Sequence, residues 1–115
     1  MKKYKPSNKE RIEHILQAIQ KIEKYIENLE EKDFINNDMV TSAVLYQFFI
    51  MGEAVANISS DLLEKYDYPW HKPRSFRNFI AHEYYGVELW VIWKTIKNQI
   101  PEFKKIIKKI LEKEF

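Results

Sequence analysis

Ala43-Val44-Leu45-Tyr46-Gln47-Phe48-Phe49-Ile50-Met51-Gly52-Glu53-Ala54-Val55-Ala56-Asn57-Ile58 is apolar on nearly every side of the helix it would form. Apolar residues that do not keep to one stripe mark a helix packed on several sides, at the centre of a bundle. Asn37 or Asp38 stands ready to cap its start, and the helix reads as running to roughly Glu64. Asp67-Tyr68-Pro69-Trp70 breaks it, because a proline pushes the preceding residue toward extended geometry. Gly52 and Ala56 stand four apart, so one face is small enough for a neighbouring backbone to come close. A plain helix crossing is the preferred reading of that face over a self-association seam.

The flanking segments also carry helical periodicity. Ser7, with Glu10 three residues on, forms the pattern of a capping box. Ile12, Ile15, Leu16, Ile19, Ile22, Ile26 and Leu29 then recur at three- and four-residue steps, which predicts a helix from about residue 8 to about residue 31. Lys32 to Asn37 is polar apart from Phe34 and Ile35 and reads as a connection. A further helix carries Pro73 to Ala81 or Tyr84 and ends at Gly86. Glu88 opens an amphipathic stretch with Leu89, Ile92, Trp93 and Ile96 on one face, and Pro101 either kinks it or opens another helix. In that last segment Phe103, Ile106, Ile107, Ile110 and Leu111 line one side. Lys104, Lys105, Lys108, Lys109 and Lys113 form the other, a stripe read as a solvated helix face rather than an RNA track.

With 115 residues, two glycines and four prolines, the chain has little material for the turns of a β-sandwich or barrel. The expectation is one all-α domain over residues 1–115, a bundle of four to five helices with residues 1–6 as a flexible tail. The absence of cysteine excludes disulfides and thiolate metal sites. The basic start at Met1-Lys2-Lys3 is followed by no apolar signal core, and no run reads as the roughly 18 apolar residues of a membrane span, so the default expectation is a cytoplasmic protein without a membrane partner. A net charge of +2 permits an RNA partner without demanding one.

The chemistry concentrates in Arg77-Asn78-Phe79-Ile80-Ala81-His82-Glu83-Tyr84. Arginine is permanently charged and forks onto phosphate oxygens, while histidine both gives and takes a proton near neutrality. Together they meet what phosphodiester cleavage without a metal requires. On an ideal α-helix Asn78 and His82 share a face, and Arg77 and Tyr84 align two turns apart, but Arg77 and His82 lie about 140° apart. Either the helix ends near Ala81, or the working site is assembled from two chains. A twofold dimer would also supply two copies of His82, one as base and one as acid, and would concentrate Arg77 and Arg74 in one cleft. Asn78 could orient His82 or the phosphate, and Tyr84 could hydrogen-bond substrate or stack on a base.

Other candidates are weaker. His14 reads as a boundary residue of the core, and His71 as an exposed residue near the motif. Trp70, Trp90 and Trp93 read as core or interface anchors. No His-x3-His or Glu-x-x-His pair shares a face, so a metal site is not expected, and no cofactor motif is present.

The chain resembles the HEPN superfamily and in particular its HepT-like toxins over roughly residues 8 to 111. The resemblance rests on Met51-Gly52-Glu53-Ala54, Tyr68-Pro69-Trp70, Arg77-Asn78 followed by Ala81-His82-Glu83-Tyr84, Val91-Ile92-Trp93, and Ile100-Pro101 before an amphipathic tail. It implies a helical bundle, a homodimer and metal-independent ribonuclease activity using Arg77 and His82. It also implies an MntA-like nucleotidyltransferase antitoxin that adds AMP to the motif tyrosine, which the His-x-Tyr register places at Tyr84 rather than Tyr85. The alternative is a non-catalytic helical subunit that binds a nucleotide or the nucleotidyltransferase through the same residues.

Overall fold

The computed structural model describes residues 4–79 and 88–115, and among them every regular element is helical. They are α1 (Asn8–Tyr25), α2 (Glu31–Ile35), α3 (Asp38–Asn57), α4 (Ser60–Leu63), α5 (His71–Arg74) running into a 3-10 turn (Ser75–Arg77), α6 (Leu89–Asn98) and α7 (Ile100–Glu114). The all-α expectation holds. α3 is the central element: α1 lies along it, the α5 and 3-10 segment crosses it, and α7 packs against α1 and α6. By length and composition α3 passes as a membrane span, which the sequence reading did not expect, yet half of it is buried inside the protein. Its core face includes Val44, Leu45, Phe48, Met51 and Val55, packed against Ile12, Ile15, Ile19 and Ile22 of α1.

Both anticipated caps form. The Ser7 hydroxyl accepts the Glu10 amide at 3.1 Å while the Ser7 amide donates to the Glu10 carboxylate at 3.0 Å. Asn37, rather than Asp38, caps α3, its side-chain oxygen accepting the Val40 amide at 3.1 Å. Pro101 opens α7 in its first turn, where its missing N–H costs nothing.

Three boundaries differ from the periodicity reading. α1 stops at Tyr25 instead of near residue 31, because Asn28 adopts a left-handed backbone with φ 65°. Ile26 and Leu29 keep their inward spacing while the chain turns, so hydrophobic period alone overran the end. Asparagine tolerates that conformation and alanine does not, by about 1–2 kcal/mol. Asn28→Ala is therefore expected to lower stability by about 1 kcal/mol and Asn28→Gly to leave it within about 0.5 kcal/mol, as read from urea unfolding midpoints. Equal losses in the two variants would refute a backbone origin.

The supposed connection at Lys32 to Asn37 contains the short helix α2, which buries Phe34 against Trp93 with ring centroids 5.4 Å apart. The long second helix ends at Asn57 instead of Glu64. There Ile58 turns extended and Asn8 pins the break from α1: its side chain accepts the Ser59 amide and donates to the Ser59 hydroxyl, both at 3.2 Å. That clasp joins residues remote in sequence, so no local signal announced it. Trp70 closes the next turn by donating its indole N–H to the Leu63 carbonyl at 3.1 Å.

The lysine face of α7 is a solvated helix face, with Lys104 paired to Glu23 of α1 at 2.9 Å and Lys105 to Glu102 at 3.4 Å. The plain helix crossing read from Gly52 holds, since the glycine is buried against the backbone of Arg77, whereas Ala56 is exposed.

Candidate active site

Arg77 closes the 3-10 turn that continues α5. The change from α to 3-10 geometry at Ser75 comes before the motif, ahead of the break anticipated near Ala81, a residue that lies outside the described ones. A 3-10 turn rotates side chains by about 120° per residue instead of 100°, so the ideal α-helical phase does not hold over Ser75–Arg77, whereas Asn78 and Phe79 are again helical.

Aromatic packing fixes the turn from below. Phe76 is buried, edge-on to Phe48 of α3 at 4.9 Å and to Phe103 of α7 at 6.0 Å. Phe79 meets the other side of the same contact, 5.1 Å from Phe48 and 5.7 Å from Phe76. With Phe76 inward, Arg77 and Asn78 face outward and are exposed. Gly52 completes the seat: a Cβ built on it would stand 2.5 Å from the Arg77 amide nitrogen and 2.9 Å from the Arg77 Cβ. Only glycine admits the turn this close to α3.

The neighbouring residue on α3, Glu53, places its carboxylate 3.6 Å from Arg77 Nη1. The two side chains are 44% and 50% exposed, so the pair is worth about 0–1 kcal/mol and a phosphate can compete for the guanidinium. Arg77 is thus a cation held in place by its backbone yet open at its head group. Arg74, one turn earlier, is also exposed.

Of the residues singled out from the sequence, Arg77, Asn78 and Arg74 are placed on one short segment. His82, Tyr84 and Tyr85 lie outside the described residues. Gly52 was legible as a point of close backbone approach, though not for which segment approaches, and Glu53 only as part of a resembling motif with no role attached. Their signals are a glycine and a carboxylate in the largely apolar middle of α3.

His14 is exposed instead of bounding the core, because α1 turns Ile12, Ile15 and Ile19 inward and leaves it on the flank facing solvent. His71 is exposed as the first residue of α5. Trp70 and Trp93 are buried, whereas Trp90 is 44% exposed and bonds the Glu88 carboxylate through its indole N–H. Among the described residues no three His, Asp or Glu side chains gather to hold a metal ion. Tyr66 has its hydroxyl pKa raised by donating to the Glu114 carboxylate at 2.7 Å, and the same bond lowers the pKa of Glu114. This clasp ties the end of α7 to the segment after α4 and is structural.

The sequence profile of the family described as "Ribonuclease HepT-like" matches residues 15–110. A protein of Caldanaerobacter subterraneus subsp. tengcongensis that bears an RNase name is 36% identical over 104 residues, covering 90% of this chain and 93% of that protein. "Probable ribonuclease HepT" of Thermococcus cleftensis is 35% identical over 101 residues, covering 87% and 92%. A longer protein of Methanocaldococcus jannaschii, named as both a gamma-glutamylcyclotransferase and an RNase, is 35% identical over 102 residues, which are 88% of this chain and 46% of that protein. No solved structure matches significantly. With the matched region spanning α1 to α7 and including the seat of Arg77, the chain belongs to the HepT-like ribonuclease family.

Proposed function

We propose that this chain is a metal-independent RNA endonuclease that acts in the cytoplasm as the toxin of a toxin-antitoxin pair. The observation that carries the reading is Arg77: its backbone is locked by Gly52, Phe76 and Phe79, and its guanidinium is left half-exposed beside a weakly held carboxylate. In cleavage the 2′-oxygen of RNA attacks the adjacent phosphorus and the bond to the 5′-oxygen breaks. A base takes the 2′-hydroxyl proton and an acid returns one to the leaving 5′-oxygen, giving a 2′,3′-cyclic phosphate and a free 5′-hydroxyl. Arg77 neutralises charge building on the phosphoryl oxygens. His82 moves the proton, and Asn78 orients the histidine or the phosphate. The second proton carrier comes from a second copy of His82 in a twofold homodimer. Exposed Met39 and Tyr46 on α3 offer apolar surface for such pairing.

Regulation follows from the same motif. A partner nucleotidyltransferase, resembling MntA, transfers AMP from ATP to the Tyr84 hydroxyl with release of pyrophosphate. The added phosphate lies close in sequence to Arg77 and competes for it.

The decisive experiment incubates the pure protein with RNA in EDTA beside His82→Ala. The expected result is cleavage by the parent and a loss of about 10²–10⁴-fold in the variant, the usual range for a general acid-base group. No cleavage by the parent, or equal cleavage by both, overturns the reading in favour of a non-catalytic nucleotide-binding subunit. Mass spectrometry after incubation with the nucleotidyltransferase and ATP is expected to place AMP on Tyr84 and not on Tyr85.

A further inference from the structure

Beside the Arg77 seat, α1 and α3 leave an open groove of about 290 Å³. Arg11 and His14 of α1 stand on one wall, Phe49, Glu53 and Asn57 of α3 on the other. Glu53 belongs both to this wall and to the pair with Arg77, so the groove and the proposed cleavage site share an edge. We infer that this groove binds one nucleotide of the RNA strand next to the scissile phosphate, with the base on Phe49 and a phosphate on Arg11. The inference rests on the ribonuclease reading for the class of ligand and adds to it a subsite that the Arg-His motif does not contain.

Five features select a nucleotide over other occupants. The volume is at the small end of ligand pockets, about 300–1,000 Å³, which suits a single planar base better than a protein segment. Charge is complementary to a nucleic-acid backbone: Arg11 and Arg77 bring two permanent cations against the one carboxylate of Glu53. Arg11 is also preorganised. Its Nε donates to the Pro6 carbonyl at 3.2 Å, which fixes the stem of the side chain and leaves the terminal nitrogens of the fork for a phosphate. Phe49 is half-buried, so it presents an apolar surface on a rigid stem. Asn57 supplies a polar edge, its amide nitrogen donating to the Glu53 carbonyl at 2.8 Å and its side-chain oxygen able to accept from a base or ribose.

The test measures binding apart from cleavage. A fluorescent 2′-O-methyl RNA oligomer of mixed sequence lacks the attacking hydroxyl and is titrated with the full chain by anisotropy across a salt series. Phe49→Leu keeps apolar volume but removes the planar ring, and it is expected to weaken binding by about 5- to 100-fold, as loss of one stacked base does. Phe49→Tyr, which keeps the planar ring, is expected to retain parental affinity. Arg11→Gln is expected to lower the slope of log K against log salt by about one. Unchanged affinity in Phe49→Leu together with an unchanged slope in Arg11→Gln overturns the subsite. So does sedimentation showing that either variant dissociates a dimer, because the groove would then be occupied by a second copy. A parent that binds the oligomer with these dependences yet never cleaves unmodified RNA defeats the ribonuclease reading and leaves the subsite standing. A parent that cleaves RNA while the variants bind normally does the reverse.

Discussion

Gly52→Val is expected to lower unfolding free energy by about 3 kcal/mol, the upper end of the usual cost of overpacking, and to reduce RNA cleavage at least tenfold under conditions where the variant is folded. The cause is the backbone of Arg77. A Cβ at residue 52 would stand 2.5 Å from its amide nitrogen and 3.1 Å from its Cα, and neither atom can swing aside as a side-chain tip would. α3 and the 3-10 turn must separate, moving the guanidinium on which the proposed cleavage depends, and a displacement of about 1 Å can cost on the order of 100-fold in rate. Gly52→Ala makes the sign informative. In a free helix alanine is about 1 kcal/mol better than glycine, so a net loss in this variant isolates the clash. Urea denaturation and initial cleavage rates measure the two effects. If Gly52→Ala is as stable as the parent or more so, the close approach is not a constraint.

Phe48→Ala is expected to cost about 3–5 kcal/mol, the usual range for deleting a buried phenylalanine. Phe48 is fully buried and meets both Phe76 and Phe79 edge-on. Its removal opens a cavity under the segment that carries Arg77 and also forfeits aromatic contacts worth about 0.5–1.5 kcal/mol each. Against the 5–15 kcal/mol margin typical of a domain, much of the stability would go. Phe48→Leu, which keeps most of the volume, is expected to recover more than half of the loss. A Phe48→Ala loss below about 1.5 kcal/mol would show that the site's floor does not depend on this residue.

The three main helices were legible because their signals are local. Ser7 with Glu10, Asn37, and Pro101 act within one turn of where they stand, and the isoleucines of α1 and α7 repeat at helical spacing. Failures came where a remote residue intervened or a single backbone angle decided. Asn8 halts α3 from the far end of α1, and Asn28 turns the chain although Leu29 continues the period. In the site, Arg77 and Asn78 were marked by residue type, since a cation and an amide beside a histidine are chemistry in any context. Glu53, Arg11 and Phe49 were not, because each takes its role only from what another helix places against it, and Gly52 was marked for a close approach without the segment that makes it.

Composition and periodicity thus determined that the chain is helical, where its long helices lie and in which short motif an arginine and a histidine stand together, since these follow from one residue's preference and its spacing to the next. Packing alone brought α3 beneath Arg77, set Glu53 at 3.6 Å from the guanidinium and opened the groove between α1 and α3. Such contacts join positions far apart in the chain, where no spacing rule operates and close fit of side-chain volumes selects the arrangement.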